Sequence, residues 1–429
     1  MTWIQKYRIK HYIKSCLWIR PALAVVAGWI AHLLIWQVDR WAGWTVLGIS
    51  VAGARDITGI IAGAMLTFAV FLLSMLLLVV QMASSQLTPL AIARAYQSPV
   101  VHRSIAYFTF VFIFAAGTQV RIDTEVHQLS VLCSILLCIG GLIEILRFVD
   151  NIGKSLRPVS LVTSMASSGI EVIAIVYPNK LDGSKAVNES HHEIVQGEQP
   201  VRNIYYGGKA GVFLAFDAVG LMRFATVANC LIQNVPAVGE FVANGDLLFR
   251  ICGTCDGITD RQLCQHVVMG AERTMEQDPA FVFRMIVDIA IRALSPAVND
   301  PTTAVMAIDQ IHPLLLRVGN RDLGDGKVRD SSGNLRLVFP TPNWEDFVSL
   351  GVSEVRLYGA GSIQVLRRLR AMLEDLVESL PADRHGPLRV QLSLLEEAAS
   401  RNFPDAWDRQ AAGVGDYQGL GGSRAAVRA

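Results

Sequence analysis

Ile57-Thr-Gly-Ile-Ile-Ala-Gly-Ala-Met-Leu-Thr-Phe-Ala-Val-Phe-Leu-Leu-Ser-Met-Leu-Leu-Leu-Val-Val-Gln-Met82 runs for 26 residues without an acidic or basic side chain. At 1.5 Å per residue, about 20 apolar residues carry a helix across a bilayer. A stretch this long crosses with tilt or extends past the hydrocarbon, whereas a helix on the surface of a soluble core needs only one apolar stripe. This segment therefore reads as a transmembrane helix and makes the chain a membrane α-helical protein.

Three more apolar runs flank it, at Leu17–Val38, Ser104–Val120 and Leu129–Val149, the last with Glu144 and Arg147 near its end. The first has the position of a signal peptide, but the preceding segment of 16 residues is long and no small-x-small cleavage site follows the apolar run. It is read as an anchor, giving four spans. Composition agrees: 52% of the 429 residues are hydrophobic, 17% are charged, and mean hydropathy is +0.38. A soluble domain carries about 25% charged residues, and a disordered chain combines low hydrophobicity with high net charge. The formal charge of +1 conceals an asymmetry. Residues 1–154 hold twelve basic and six acidic side chains, and the remaining 275 hold 26 and 31. A basic membrane module is thus followed by an acidic one.

Basic residues in short flanks set orientation. Lys6, Arg8, Lys10, Lys14 and Arg20 precede the first span, Arg94 and Arg103 lie between the second and third, and Arg147, Lys154 and Arg157 surround the end of the fourth. The opposite loops hold Arg40, Arg55 and Arg121 beside Asp39, Asp56, Asp123 and Glu125. Both termini and the large C-terminal half are expected to be cytoplasmic, with Trp36, Trp41 and Trp44 in an outer aromatic belt and Trp18 in an inner one.

Within the second span, Gly59 and Gly63 form a small-xxx-small pair suited to close helix approach. Thr67, Ser74, Gln81 and Thr88 recur every seven residues, with Ser85 on the same face. Such groups in hydrocarbon need partners or water. They read either as the lining of a pore or as an interhelical hydrogen-bonded seam, Ser and Thr also being able to bond back to their own helix. No acidic or basic residue lies mid-span, which argues against a proton-coupled pump, and His32 reads as a packed residue.

Beyond the spans, residues 155–257 read as a cytoplasmic α+β unit. A helix from Pro158 gives way to a short strand at Glu171–Tyr177, and Asn179–Asn203, with His191-His192, is a polar loop. Gly211–Phe216 has strand character, and Asp217 caps a helix through Ala228. Leu231–Ile251 alternates strands with turns at Gly239 and Gly245. That spacing resembles the hairpin of lipoyl- and biotinyl-type sandwiches, but no Lys occurs between Lys209 and Lys327. A small β-barrel-like module is expected instead of a carrier. Cys252, Cys255, Cys264 and His266 place four soft ligands within 15 residues. The spacing matches no zinc-finger pattern, and small core cysteines are the preferred reading.

Residues 258–400 read as mainly helical, and 401–429 as a flexible tail. Asp278-Pro279 and Asp300-Pro301 each pair an N-cap with proline at the first helical position. They predict helices over Pro279–Leu294 and from Pro301 to about Leu316. Arg284, Asp288 and Arg292 at i, i+4 and i+8 share one face of the first. With Ser295, Asn299 and Asp300 they form a candidate network, either a ligand or partner site or a lock on the Ser295-Pro-Ala-Val-Asn-Asp300 turn. Ser362 is a candidate cap for a helix to Leu380, whose Arg367, Arg368 and Arg370 are expected on a solvated face.

Asp288-Ile-Ala-Ile-Arg-Ala-Leu-Ser-Pro-Ala-Val-Asn-Asp-Pro-Thr-Thr-Ala304 resembles the signature of a bacterial family of predicted integral-membrane proteins, domain of unknown function 2254. Glu272–Phe281, Tyr358–Ser362, Arg367–Arg370 and Ser84-Ser-Gln-Leu-Thr-Pro89 fit the same family, over roughly residues 10–400. Ala297 stands where relatives usually show Gly, and Leu90 where a basic residue is usual. The resemblance implies a bacterial inner-membrane location and supplies no activity. No nucleotide loop, nucleophile elbow, HExxH helix or kinase signature occurs. A non-enzymatic protein is expected, with no cofactor, no nucleic-acid partner, contact with the lipid bilayer and a homo-oligomeric state. The first reading is a pore or transport-like protein with a cytoplasmic regulatory domain. The second is a membrane-anchored sensor or scaffold using the signature turn.

Overall fold

In hydrocarbon every backbone amide must be satisfied within its own segment, so apolar runs of this length fold as helices. The structure is a computed structural model that describes residues 16, 18–42, 48–86, 99–122, 126–155, 157–181, 202–253, 257 and 259–421. It divides into two compact units, Arg8–Leu161 and Val162–Ala429, the latter together with Met1–Tyr7.

The first unit contains α1 (Ile19–Ala42), α2 (Val51–Gln86), α3 (Pro99–Val120) and α4 (Gln128–Ser155). Each coincides with an expected span. At 36 residues α2 extends for about 54 Å, well beyond the hydrocarbon thickness. Helix α3 packs against each of the other three, with Phe108 and Phe114 fully buried alongside Met65 and Leu72 of α2. Lipid is as apolar as leucine, so close packing and not water exclusion holds such helices together. Gly28 is an instance: a Cβ there would lie 2.8 Å from the Phe110 carbonyl oxygen.

The second unit begins with α5 (Pro158–Val176), whose first turn belongs to the first unit. Two expectations are corrected here. Five helices among the described residues, not four, are long and apolar enough to cross a membrane, the fifth being Val159–Val176. The predicted strand at Glu171–Tyr177 is the last turn and a half of that helix. Its β-branched residues favour a strand, but propensity yields to tertiary packing. Ile173 is fully buried, Gly169 lies against Val282 and Leu314, and Tyr177 packs edge-on to Phe347 at 6.2 Å.

Eight strands follow: β1 (Arg202–Tyr205), β2 (Gly211–Phe216), β3 (Leu231–Asn234), β4 (Phe241–Val242), β5 (Leu247–Cys252), β6 (Val267–Gly270), β7 (Lys327–Arg329) and β8 (Leu335–Val338). They form a five-stranded sheet in the order β1-β5-β3-β8-β7 and a three-stranded sheet in the order β4-β2-β6. No closed barrel exists among them, which corrects the barrel-like expectation. All pairings are antiparallel except β3 with β8, where Ile232 aligns with Leu337. That one parallel pairing leaves an open mixed sheet. Its core joins Ile204, Phe213, Phe249, Ile251 and Leu337 to Leu221 and Ala225 of α6 (Ala218–Val227). Gly239 and Gly245, at the expected turns, have φ of +91° and +93°.

After the short α7 (Asp260–Cys264), a helical layer comprises α8 (Pro279–Ala293), α9 (Pro301–Gly319), α10 (Trp344–Tyr358), α11 (Ile363–Ser379), α12 (His385–Asn402) and α13 (Ala406–Ala412). The predicted caps are in place: the carboxylates of Asp278 and Asp300 accept the backbone N–H groups of Phe281 and Thr303 at 3.0 and 3.1 Å. Asp217 accepts that of Gly220 at 2.9 Å, and Ser362 that of Val365 at 3.4 Å. Two further expectations fail. Arg367 and Arg368 are buried, not solvated: Arg368 pairs with Asp309 of α9 at 2.5 Å, and residues 402–421 of the expected flexible tail are structured. Residues 402–412 complete α12 and form α13, and 413–421 lie along α11. Arg367 donates to the carbonyls of Val414 and Gly421 at 3.1 and 3.2 Å, and Gln364 to that of Gly419 at 2.7 Å. Asp416 closes the strap by accepting the N–H groups of Gln418, Gly419 and Gly421.

Candidate functional site

The heptad stripe of α2 is resolved into two faces. Thr58, Ile61, Ala62, Met65, Leu72 and Leu76 are buried within the four-helix unit. Gly63, Thr67, Ser74 and Gln81 are exposed on the other side. The two glycines of the expected pair divide likewise. A Cβ at Gly59 would meet the Gln119 amide nitrogen of α3 at 2.7 Å, whereas at Gly63 nothing lies within 4 Å. The Ser85 side chain, and Thr88, Pro89 and Leu90, lie outside the described residues.

Thr67 and Ser74 bond back within α2, as the seam reading allowed for hydroxyl side chains. Thr67 Oγ1 donates to the Gly63 carbonyl at 2.8 Å and Ser74 Oγ to that of Val70 at 3.0 Å, each within its own helix. Back-bonding uses each hydroxyl's one hydrogen and leaves oxygen lone pairs on the outward face. Taking Asp56 as the last acidic residue before the span, Thr67, Ser74 and Gln81 lie about 16, 27 and 37 Å along the helix axis. Thr67 thus falls near mid-membrane and Gln81 at the far interface.

The signature turn is a second constellation. Arg284 Nε donates to Asp288 Oδ1 at 2.7 Å, and its Nη2 reaches Glu354 Oε2 of α10 at 3.0 Å. The Arg284 guanidinium holds the Glu354 carboxyl below the usual carboxylate range, against a smaller opposing effect of burial. Arg292, one turn further along, is half-buried and engaged in interactions of its own. Ser295 Oγ donates to the Arg292 carbonyl at 2.7 Å, and the Asn299 and Asp300 N–H groups bond to the carbonyls of Ser295 and Ala293 at 2.8 and 2.7 Å. Asn299 adopts a left-handed φ of +46°, while Ala297 does not. The residue that substitutes for glycine in this turn is thus Asn299, a type that tolerates that conformation, and Ala297 is unstrained. Pro296, Ala297, Val298 and Asn299 are exposed.

Glu354 escaped sequence reasoning because it lies 70 residues from Arg284 with no local signal. So did Arg273, which donates to the buried Asp278 carboxylate and lies against the face of Phe281 at 5.2 Å. The proposed cysteine–histidine set is not assembled among the described residues: no three His, Cys, Asp or Glu side chains gather as metal ligands. His266 Nδ1 instead lies 3.2 Å from Asp217; Cys252 and Cys264 are partly buried, and Cys255 lies outside the description.

Several apolar helices of spanning length joined to an α/β unit define a polytopic membrane protein. The chain belongs to the family described as predicted membrane protein (DUF2254), whose model matches residues 14–375. It is 24% identical over 419 residues to the uncharacterized protein MT1328 of Mycobacterium tuberculosis (strain CDC 1551 / Oshkosh), covering 94% of this chain and 79% of that one. The same identity and coverage relate it to the uncharacterized protein Mb1321c of Mycobacterium bovis. No solved structure matches.

Proposed function

We propose that the protein is a non-enzymatic homo-oligomeric channel or transport-like pore, with α2 at the contact between protomers and the C-terminal unit as a cytoplasmic regulatory domain. The observation that carries this reading is the outward line Gly63, Thr67, Ser74 and Gln81 on a helix otherwise clad in Ile60, Leu66, Val70, Phe71, Leu73, Leu77 and Leu78. Among the described residues of the four-helix unit this line has no neighbouring helix. Symmetric association brings copies of it around one axis, where Gly63 permits close approach and the Thr67 and Ser74 oxygens face one path. Gln81, whose amide has no partner among the described residues, stands at the mouth of that path.

The second reading, a ligand- or partner-binding signature turn, has weaker support. Arg284 is saturated by two carboxylates, and Asp300 is committed to its helix cap. The Arg284 pairs tie α8 to α10, and the turn's own bonds join α8 to α9. Planar-bilayer recording with the purified full chain tests the first reading. Wild-type protein is expected to conduct, and Thr67→Leu or Ser74→Leu to reduce unitary conductance. Conductance indifferent to both substitutions removes α2 from the path.

A further inference from the structure

Spans α1 and α3 finish, and α2 and α4 begin, at one end of the four-helix unit. Two arginines there have an unusual partner. The guanidinium carbon of Arg121 lies 4.0 Å from the centre of the Trp36 ring system and that of Arg40 lies 4.9 Å from it. Among the described residues neither arginine has a hydrogen-bond or carboxylate partner. Several of the described polar groups nearby have partners of their own. Trp36 Nε1 donates to His127 Nε2 at 3.0 Å, which places the His127 proton on Nδ1. Asp39, 4% exposed, accepts the backbone N–H of Ser130 at 3.2 Å and so caps α4 from another helix. Arg55 donates to the Ile122 carbonyl at 2.8 Å.

A guanidinium is permanently charged and carries five N–H donors. A cation–π contact attracts the charge but satisfies none of those donors. The two guanidinium carbons, both held against one indole, are at most about 9 Å apart. One phosphate can accept from both when the two guanidinium groups lie on the same side of the indole, closer together than that upper bound, because its several oxygens can each take a charge-assisted N–H bond. The surroundings identify the source of the phosphate. Val38, Trp41 and Val120, adjoining the two arginines in sequence, are 50%, 90% and 82% exposed. Apolar surface beside paired cations suits a headgroup whose acyl chains continue along the helices, not a free ion in water.

We propose that Arg40 and Arg121, positioned by Trp36, bind the phosphate of an anionic phospholipid at this end of the bundle. The site is independent of the α2 stripe and needs neither oligomerisation nor conduction. The test is native mass spectrometry of the purified full chain in detergent with an equimolar mixture of phosphatidylglycerol and phosphatidylcholine. Wild-type protein is expected to retain one more phosphatidylglycerol per protomer than R40Q/R121Q, with phosphatidylcholine retention equal in the two. Equal phosphatidylglycerol retention overturns the proposal. So does retention of inorganic phosphate in place of lipid, with no preference for phosphatidylglycerol, which would assign a free-ion site. Should the double variant lose its helical circular dichroism, R121Q is compared with R121K. Loss of the adduct in the former alone supports the site, and equal retention refutes it.

Discussion

The left-handed backbone of the signature turn is assigned to Asn299 and not to Ala297, and the two positions respond oppositely to the same chemistry. In Asn299→Ala an alanine must adopt φ near +46°, which costs a residue with Cβ about 1–2 kcal/mol. Asn299 is exposed, and its side chain makes no hydrogen bond among the described residues. The loss is therefore one of backbone conformation. Ala297→Gly relieves nothing, because Ala297 is outside the left-handed region. It adds freedom to the unfolded chain and costs about 0.4–1 kcal/mol. For a unit of this size 1 kcal/mol corresponds to roughly 2–4 °C in melting temperature. Thermal unfolding of the full chain in detergent, followed by circular dichroism, should show Asn299→Ala lower by about 2–8 °C and Ala297→Gly lower by about 1–4 °C. Asn299→Gly should stay close to wild type, since glycine exchanges strain for chain entropy. A melting temperature raised by Ala297→Gly, or unmoved by Asn299→Ala, would refute the assignment of the strained position.

Other consequences follow from the C-terminal unit. Asp278 is 3% exposed, caps α8 and pairs with Arg273. Asp278→Ala should cost about 1 kcal/mol for the cap alone and more for the stranded arginine, while Asp278→Asn recovers the cap part in denaturant titrations. Gly239 combines φ of +91° with an Arg273 guanidinium 2.4 Å from where a Cβ would lie; Gly239→Ala should lower the melting temperature, and a neutral result would contradict that geometry. Burial pushes the His312 imidazole below its ordinary value, opposed by Asp375 and reinforced by Arg368. The unfolded chain then takes up that proton more readily, so the stability involved is present above about pH 6.5 and is lost as pH falls below it. Melting curves between pH 7 and pH 5 should flatten in His312→Gln. Removing the donors of Arg367 should free the C-terminal strap, so Arg367→Ala is expected to accelerate tryptic cleavage at Arg409; an unchanged rate would mean that the strap is held elsewhere.

The membrane helices were legible because their cause is local: the apolar runs in α1 to α4 approach or exceed the length a bilayer requires, whatever surrounds them. The caps of α6, α8, α9 and α11 were legible for the same reason, each being an oxygen-bearing side chain just before a helix. The errors have non-local causes. Glu171–Tyr177 carries strand-forming residues, but Gly169 just before it lies against Val282 and Leu314, and Tyr177 packs on Phe347, all from distant helices. Arg367 and Arg368 look solvated beside Glu374 and Asp375, but the returning strap takes the donors of Arg367 and Asp309 of α9 pairs with Arg368. Sequence periodicity aligned Thr67, Ser74 and Gln81 on one face. Which way that face points depended on where α3 packs, and no spacing along α2 encodes that.

The central claim is that the outward face of α2 meets a second copy of itself. Its most direct measurement is cysteine cross-linking of the full chain in native-like membranes, read as the mass of the product in detergent. Ser74→Cys lies on the exposed face and is expected to give a cross-linked homo-oligomer. Ala62→Cys, on the face buried within the protomer, should remain uncross-linked. A monomeric mass for wild type, with Ser74→Cys no more reactive between copies than Ala62→Cys, would contradict the account.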